Sequence, residues 1–356
     1  MRRYFPSHRA GRLGLTGTKR ACSQGACGCC TVLKDNVAVP SCQLLTVDCD
    51  GSEIVTIEGL ADPKTGKLDP LQQLFVDDYA FQCGYCTPGI IMTLKALYIK
   101  NPSPTAEEVR EALSGNLSRC ISQYHVFNAA EHYRQLLNGE AKARATSQNT
   151  AISTKIVTGK TIYTDDVQFQ ELLHVKVLHC PYASAKIKCM DIDAAFKVPG
   201  VTSVNSYGNL PEQCKNWGIN APAIVPVLHD YGCYAGDVVA VIAAETEQAA
   251  EEARDLIKVE YEVLKPVLIV KEAIQPGAPL VHPDTFPTGN IVFPVIPYVG
   301  EDMMMHLVCG DADKAFAECD FVDESEAHYD SLGCPAAMEP PVVVWKYNAA
   351  HNDFHA

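Results

Sequence analysis

No stretch of this sequence stays apolar for the roughly 18 residues that a membrane-spanning helix needs, so no membrane span is expected. Positive charge is scarce. The 29 Lys and Arg against 43 Asp and Glu leave a net charge of -14, and so acidic a chain repels phosphate backbones. Nucleic acid is therefore not an expected partner. The basic opening "MRRYFPSHRAGRLG" lacks an apolar core and a small-residue cleavage site, so a secretory leader is not expected and a cytoplasmic location is. No P-loop, dinucleotide-binding glycine fingerprint, Ser/His/Asp arrangement or internal repeat stands out.

Cysteine, by contrast, is abundant. Without export, 16 cysteines do not read as a disulfide set, and metal ligation with some buried thiols is the better expectation. They are unevenly spread, nine falling at or before Cys120. Cys180, Cys189, Cys214, Cys233, Cys309, Cys319 and Cys334 follow without close spacing and are expected to be ordinary core or surface thiols.

The densest stretch is "ACSQGACGCCTV". Cys22-x4-Cys27-x2-Cys30, with Cys42 beyond, has the plant-type ferredoxin spacing for a 2Fe–2S cluster. Such a cluster needs four thiolates around two irons, and one loop can deliver three only by curling tightly. Gly25 and Gly28 permit positive φ and turn backbone N–H groups inward. Cys42 would come from the far strand of a hairpin, with Cys29 and Cys49 pointing away. A zinc ribbon from Cys27-x2-Cys30 and Cys83-x2-Cys86 is the alternative. It leaves Cys22, Cys42 and both glycines unexplained.

The second group is "QCGYCTPG", with Cys83 and Cys86 opening a helix, and "SGNLSRC", with Cys120 opening another. Positive helix N-termini favour an anionic cluster there. With "LGLTGTKRACSQGACGCCTV", these motifs closely resemble those of the molybdenum hydroxylases, the family of xanthine dehydrogenases and aldehyde oxidoreductases. The resemblance implies an outer cluster on Cys22, Cys27, Cys30 and Cys42, and an inner one on Cys83, Cys86, Cys120 and the residue at 118. It further implies that Gln82 and Cys120 touch a molybdopterin, as molybdopterin cytosine dinucleotide in the complete enzyme. The family ends its motif Cys-Arg-Cys, whereas this chain has Ser118-Arg119-Cys120. Serine is a harder donor than cysteine, so the inner cluster is expected to be Ser-ligated, perturbed or absent.

Later segments, "IVTGKTIYTDDV", "HCPYASAKIKCMDIDAAFKVPGV", "YAGDVVAVIAAETEQAAEEA" and "CGDADKAFAECDFV", resemble the α/β domain that opens the family's molybdenum subunit, and "CPAAMEPPVVVW" the start of its cofactor-binding region. The implied fold is α+β and multidomain. It has a β-grasp 2Fe–2S domain over 1–61 (short at its N-terminus), a four-helix 2Fe–2S-binding bundle over 62–140, and a linker over 141–155. An α/β hammerhead follows over 156–266, then an incomplete start of a molybdopterin-binding domain over 267–356. The glycine-rich pterin loop and catalytic glutamate of the family have no counterpart in these residues, and no flavin domain interrupts them. The expected function is the electron-transfer portion of an enzyme hydroxylating aldehydes or N-heterocycles such as purines. Electrons would leave one at a time through the inner and then the outer cluster. Expected partners are a small-molecule substrate, an external electron acceptor, a flavin subunit and a second copy in a homodimer. A stand-alone electron carrier or non-catalytic remnant is the alternative.

Local patterns give the elements. "TVLKDNVAVPSC" reads as two strands about a Lys34-Asp35-Asn36 turn and "EIVTIEGL" as a third. Thr87 reads as an N-cap before Pro88, with Ile90, Ile91, Leu94 and Leu97 on one helix face. Thr105 and Glu108 form a capping box, and Val126, Ala130, Tyr133 and Leu137 a stripe. Asp165-Asp166 and Glu251-Glu252 read as solvated faces, His174 and His179 as structural strand residues, and the methionines of Glu301 to Leu307 as packing. Glu339 reads as a structural hydrogen-bonding group.

Overall fold

The computed structural model describes residues 13–141, 150–167, 169–215, 218–220, 224–283, 286–287, 289–290, 310–327, 337–348 and 353–355. The chain divides into two compact units, Met1–Val167 with Ala327–Ala356, and Gln168–Glu326. The methionine cluster at 301–307, Cys309 and Cys334 lie outside the described residues.

The first unit opens with β1 (Thr31–Lys34), β2 (Val37–Pro40) and β3 (Ile54–Val55), an antiparallel sheet in the order β2-β1-β3. The turn is the two residues Asp35 and Asn36, at φ +52 and +64, the left-handed pair whose twist suits a tight hairpin. β3 is shorter than the β-branched alternation suggests. Ile57, 1% exposed, leaves the ladder in a 3-10 turn and enters the helical core instead.

That core lies among α1 (Pro70–Asp77), α2 (Thr87–Lys100), α3 (Ala106–Leu113) and α4 (Gln123–Leu137). Phe75, Ile91, Met92 and Leu94 are fully buried in it, each contributing about 1.5–3 kcal/mol by burial. The capping box of α3 forms as expected: Thr105 Oγ1 accepts from the Glu108 N–H at 3.2 Å, and the Glu108 carboxylate accepts from the Thr105 N–H at 2.7 Å. The N-cap of α2 is Cys86, one residue before Thr87, because Pro88 lies within the first turn. The α4 stripe buries Val126, Ala129, Ala130 and Tyr133, whereas Leu137 sits at the exposed helix end.

The polar stretch expected as a linker behaves differently at its end. Residues 142–149 lie outside the described ones, but Ala151–Val157 forms α5, capped by Thr150, with Ile156 and Val157 buried. A helix this short offers too few turns for a periodicity to register. Gln72, itself fully buried, donates to the Ile57 carbonyl at 3.3 Å and the Val157 carbonyl at 2.8 Å, tying α1 to α5.

The second unit holds β4 (His174–His179), β5 (Ala185–Asp191), β6 (Val201–Ser206), β7 (Gly218–Asn220), β8 (Ile224–Pro226), β9 (Tyr231–Gly232), β10 (Val238–Ala244) and β11 (Lys258–Val263). They form antiparallel sheets β4-β10-β6 and β11-β5-β9 and a β7-β8 hairpin. Helix α6 (Asp193–Phe196) precedes β6, and α7 (Glu247–Leu256) packs Ala249, Ala250 and Ala253 with the buried Val204, Ala240 and Ile242. Small residues let that helix approach the sheet closely. Short helices α8 (Val270–Ala273) and α9 (Ala312–Glu318) follow, and β12 (Lys346–Asn348) pairs with β13 (Asp353–His355) in the first unit. The His179 ring donates from Nδ1 to the Gly236 carbonyl at 2.6 Å, a structural role. Glu251 pairs with Lys176 at 3.0 Å at the surface, and Glu252 is exposed.

Candidate iron–sulfur sites

All cysteines among the described residues are free thiols. The loop 22–30 curls as its glycines require, Gly25 at φ +77 and Gly28 at φ +70. It brings the Cys22 thiol within hydrogen-bonding reach of Cys27, and the Cys30 thiol within reach of Cys42 across the hairpin. Backbone N–H groups point at the sulfurs. Gln24 N donates to Cys22 Sγ at 3.3 Å, Gly25 N to Cys42 Sγ at 3.2 Å, and Cys42 N to Cys30 Sγ at 3.4 Å. Such donors stabilise a thiolate, and would do the same for a reduced cluster.

Cys29 turns into the core, 1% exposed, where its thiol donates to the Cys27 carbonyl at 4.0 Å. The Cys29 thiol close by, against the effect of burial, draws the Cys27 thiol down to about 5. The same contact and burial push Cys29 far up, and burial pushes Cys30 up to about 12.

The second site gathers two helix starts. Cys83 and Cys86 precede α2, and Ser118 and Cys120 lie in the turn before α4. The sulfurs of Cys83 and Cys120 stand 3.1 Å apart, and Cys86 Sγ donates to Ser118 Oγ at 3.3 Å. Burial pushes Cys86 up and Cys83 up to about 11. Cys120 is lowered: burial resists, but hydrogen bonds from the Cys83 thiol and backbone prevail. The Cys27 and Cys120 thiols are thus both drawn towards the ionised form, the form in which a thiol binds metal.

Both sites present donors in two pairs, the arrangement two irons need. Cys27 and Cys30 pair with Cys22 and Cys42, and Cys83 and Cys86 with Cys120 and Ser118, so the donors of the zinc-ribbon alternative are not brought together. Among the described residues, no group of three or more Cys, His, Asp or Glu gathers as a single metal ion would need. The donor types at the two sites, thiols and at the second also a hydroxyl, are of the kind a 2Fe–2S cluster takes. Thr87 Oγ1 is buried without a hydrogen-bond partner, and a buried donor calls for an acceptor.

The two sites interlock. Leu117 N donates to the Cys27 carbonyl at 2.9 Å, and Asn116 Nδ2 to the Gly28 carbonyl at 3.2 Å. Gly89, in the first turn of α2, is so close to the Gly28 carbonyl that no Cβ would fit. Gln82 is exposed beside Cys83.

Sequence reading missed three residues around the inner site. Asp166, read as solvated, accepts from Lys19 Nζ at 2.7 Å and is only 12% exposed; Asp165 alone faces solvent. Tyr163 donates from its hydroxyl to the Cys83 carbonyl at 2.7 Å. Partners separated by as many as 147 positions leave no local spacing to detect. Half-buried Glu339 lies near Tyr85 and Tyr163 and, after burial itself, helps push both phenols up.

Comparison with known proteins gives two family models, "[2Fe-2S] binding domain" over residues 56–131 and "Aldehyde oxidase and xanthine dehydrogenase, a/b hammerhead domain" over 158–265. The nicotinate dehydrogenase small FeS subunit of Eubacterium barkeri is 50% identical over 120 residues, covering 34% of this chain and 74% of that protein. The aldehyde oxidoreductase of Megalodesulfovibrio gigas is 30% identical over 318 residues, covering 82% of this chain and 34% of that protein. The crystal structure of the aldehyde oxidoreductase from Desulfovibrio desulfuricans superposes with a TM-score of 0.70 at 28% identity, over 80% of this chain and 34% of that one. The chain thus spans about a third of the length of the aldehyde oxidoreductases it matches.

Proposed function

The chain belongs to the molybdenum hydroxylase family of aldehyde oxidoreductases and xanthine dehydrogenases, as their iron–sulfur portion followed by a hammerhead domain, and on that premise we propose that it carries two 2Fe–2S clusters. Cys22, Cys27, Cys30 and Cys42 would hold the outer one, in a β-grasp domain. Cys83, Cys86, Cys120 and Ser118 would hold the inner one, in a four-helix bundle. The observation that supports this reading is the gathering of donors: Cys30 with Cys42 through backbone N–H groups at the outer site, and Cys83 with Cys120 and Cys86 with Ser118 at the inner one.

A bound 2Fe–2S cluster supplies a one-electron reservoir. The chain's own residues position the two reservoirs. The Leu117–Cys27 hydrogen bond fixes the inner-site turn against the outer-site loop, and the buried thiols keep water from the outer site. The whole enzyme would act on aldehydes or N-heterocycles such as purines, with molybdopterin cytosine dinucleotide facing Gln82 and Cys120. An external acceptor or flavin subunit would take the electrons, and a cytoplasmic homodimer is the assembly proposed. The later residues, from 267, are proposed to begin the molybdopterin-binding domain.

The test is metal content. Purified without oxygen, the full chain should be brown, with iron and acid-labile sulfide in equal amounts and two EPR signals on reduction. Zinc in place of iron, with no visible absorption, would refute the assignment.

A further inference from the structure

Next to the inner site lies a buried charge pair that neither donor set uses. Lys19 is 2% exposed; its ammonium donates to Asp166 Oδ2 at 2.7 Å and to the Thr161 carbonyl at 3.1 Å. It also stands 4.5 Å from the centre of the Tyr163 ring. Asp166 Oδ2 accepts in addition from the Tyr163 N–H at 3.0 Å, so the pair and the ring hold each other in place.

Tyr163 carries this arrangement to the inner site. Its hydroxyl donates to the carbonyl of Cys83, a proposed ligand, at 2.7 Å. Its ring meets Tyr85 edge-on with centroids 5.0 Å apart, and the Tyr85 hydroxyl donates to the Arg20 carbonyl at 2.7 Å. Gly84, at φ +83, lies between, and a Cβ there would come within 2.9 Å of the Tyr163 hydroxyl oxygen. The strand of chain carrying Thr161 to Asp166 crosses the start of the iron–sulfur region where Gly17 and Gly159 meet with no room for a side chain. The contacts run unbroken from a buried cation to a ligand-bearing peptide.

A buried ion pair loses two hydration shells and is weak evidence for stability by itself. Charge and hydrogen bonds near a cluster, however, move its potential directly, most of all in a low-dielectric surrounding. We propose that Lys19, Asp166 and Tyr163 set the potential of the inner cluster, Tyr163 positioning the Cys83 peptide and the Lys19 ammonium favouring the reduced, more negative state. The inference rests on the two-cluster reading above.

Redox titration of the full chain, followed by EPR, tests it on Lys19→Met, Asp166→Asn and Tyr163→Phe. Lys19→Met leaves a negative carboxylate and should lower the inner potential. Asp166→Asn leaves an uncompensated ammonium and should raise it. Each should change the reduced-to-oxidised ratio at fixed potential about tenfold, or ~59 mV for one electron. Tyr163→Phe should alter the inner EPR line shape and leave the outer one intact. A merely structural latch would move both charge variants in the same direction, and that result overturns the proposal. Two clusters with unmoved inner potentials overturn it alone. A chain that binds no iron, or only one cluster, sinks the two-cluster reading with it.

Discussion

The two proposed sites, outer and inner, are built in opposite ways. The proposed outer site takes three of its four thiols from nine consecutive positions, Cys22 to Cys30, and the fourth, Cys42, from the 3-10 turn Ser41–Gln43 just after β2, not from the far strand itself as the sequence suggested. Its geometry is local, and glycines at positive φ suffice to make it. The inner site takes its donors from two helix starts more than thirty positions apart, and it exists only once α2 and α4 have packed on a common core. Burial differs in degree: Cys27, Cys30 and Cys42 are buried and Cys22 half-buried in one set, while Cys86 is buried, Cys120 half-buried and Cys83 exposed in the other.

The strongest way to break this comparison is to remove one outer donor. Cys27→Ala should abolish the outer EPR signal and about half the iron, with the inner signal retained, since the inner donors come from other elements. Loss of both signals would mean that the Leu117–Cys27 contact couples the sites more tightly than their separate construction implies. Cys29, although it bonds Cys27, should be replaceable by Ser with both clusters kept.

Next in size is Gly28→Ala. The new Cβ would lie 2.5 Å from Asn116 Nδ2 and from the Gly115 carbonyl oxygen, at a φ that L-residues avoid. Overpacking costs about 1–3 kcal/mol, and the left-handed backbone adds roughly 1 more. Thermal unfolding should move down accordingly, and iron should fall at both sites, because Gly28 is where they touch. An unchanged melting temperature would show that the two loops part without cost.

Ser118→Cys sharpens the comparison instead of breaking it. With its native hydroxyl, the inner site should give an altered signal at lower potential, because an alkoxide puts more negative charge on iron than a thiolate. The cysteine variant should give two full 2Fe–2S signals by low-temperature EPR. Two cysteine-type signals from the unsubstituted chain would contradict this and point to a distant thiol as the fourth donor.

The smallest effect is expected at α3, whose turn leads to the inner site without contributing a donor. Thr105→Ala should cost about 1 kcal/mol in chemical denaturation and leave iron binding unchanged. Backbone and hydroxyl donation from Thr105 also hold the Glu108 carboxyl below its usual range. That contribution is complete above the ordinary glutamate range and fades as pH falls through the lowered folded value. Glu108→Gln should remove this acid dependence from the unfolding curve.

Much of the molecule was legible in sequence because its signals are local. Cysteine spacing with glycines at fixed offsets gave the outer site. The Asp35-Asn36 turn between short apolar runs gave the hairpin, and the Thr105–Glu108 box gave the start of α3. The inner donors were legible only through resemblance, since no spacing rule joins Cys83 to Cys120. The misreadings share one cause. Asp166 looks like one of two exposed acids until Lys19 is brought to it from 147 positions away. Ala151–Val157 looks like linker until a buried glutamine and a core receive it.

By itself, then, the sequence determined which side chains can bind metal and where the chain must turn, because those properties reside in a residue and its near neighbours. Only the tertiary structure decided which donors stand together, which thiols burial and hydrogen bonds push up or down, and which charges are shut away from water. Those depend on distance and dielectric, and both are set by packing between segments that the sequence keeps far apart.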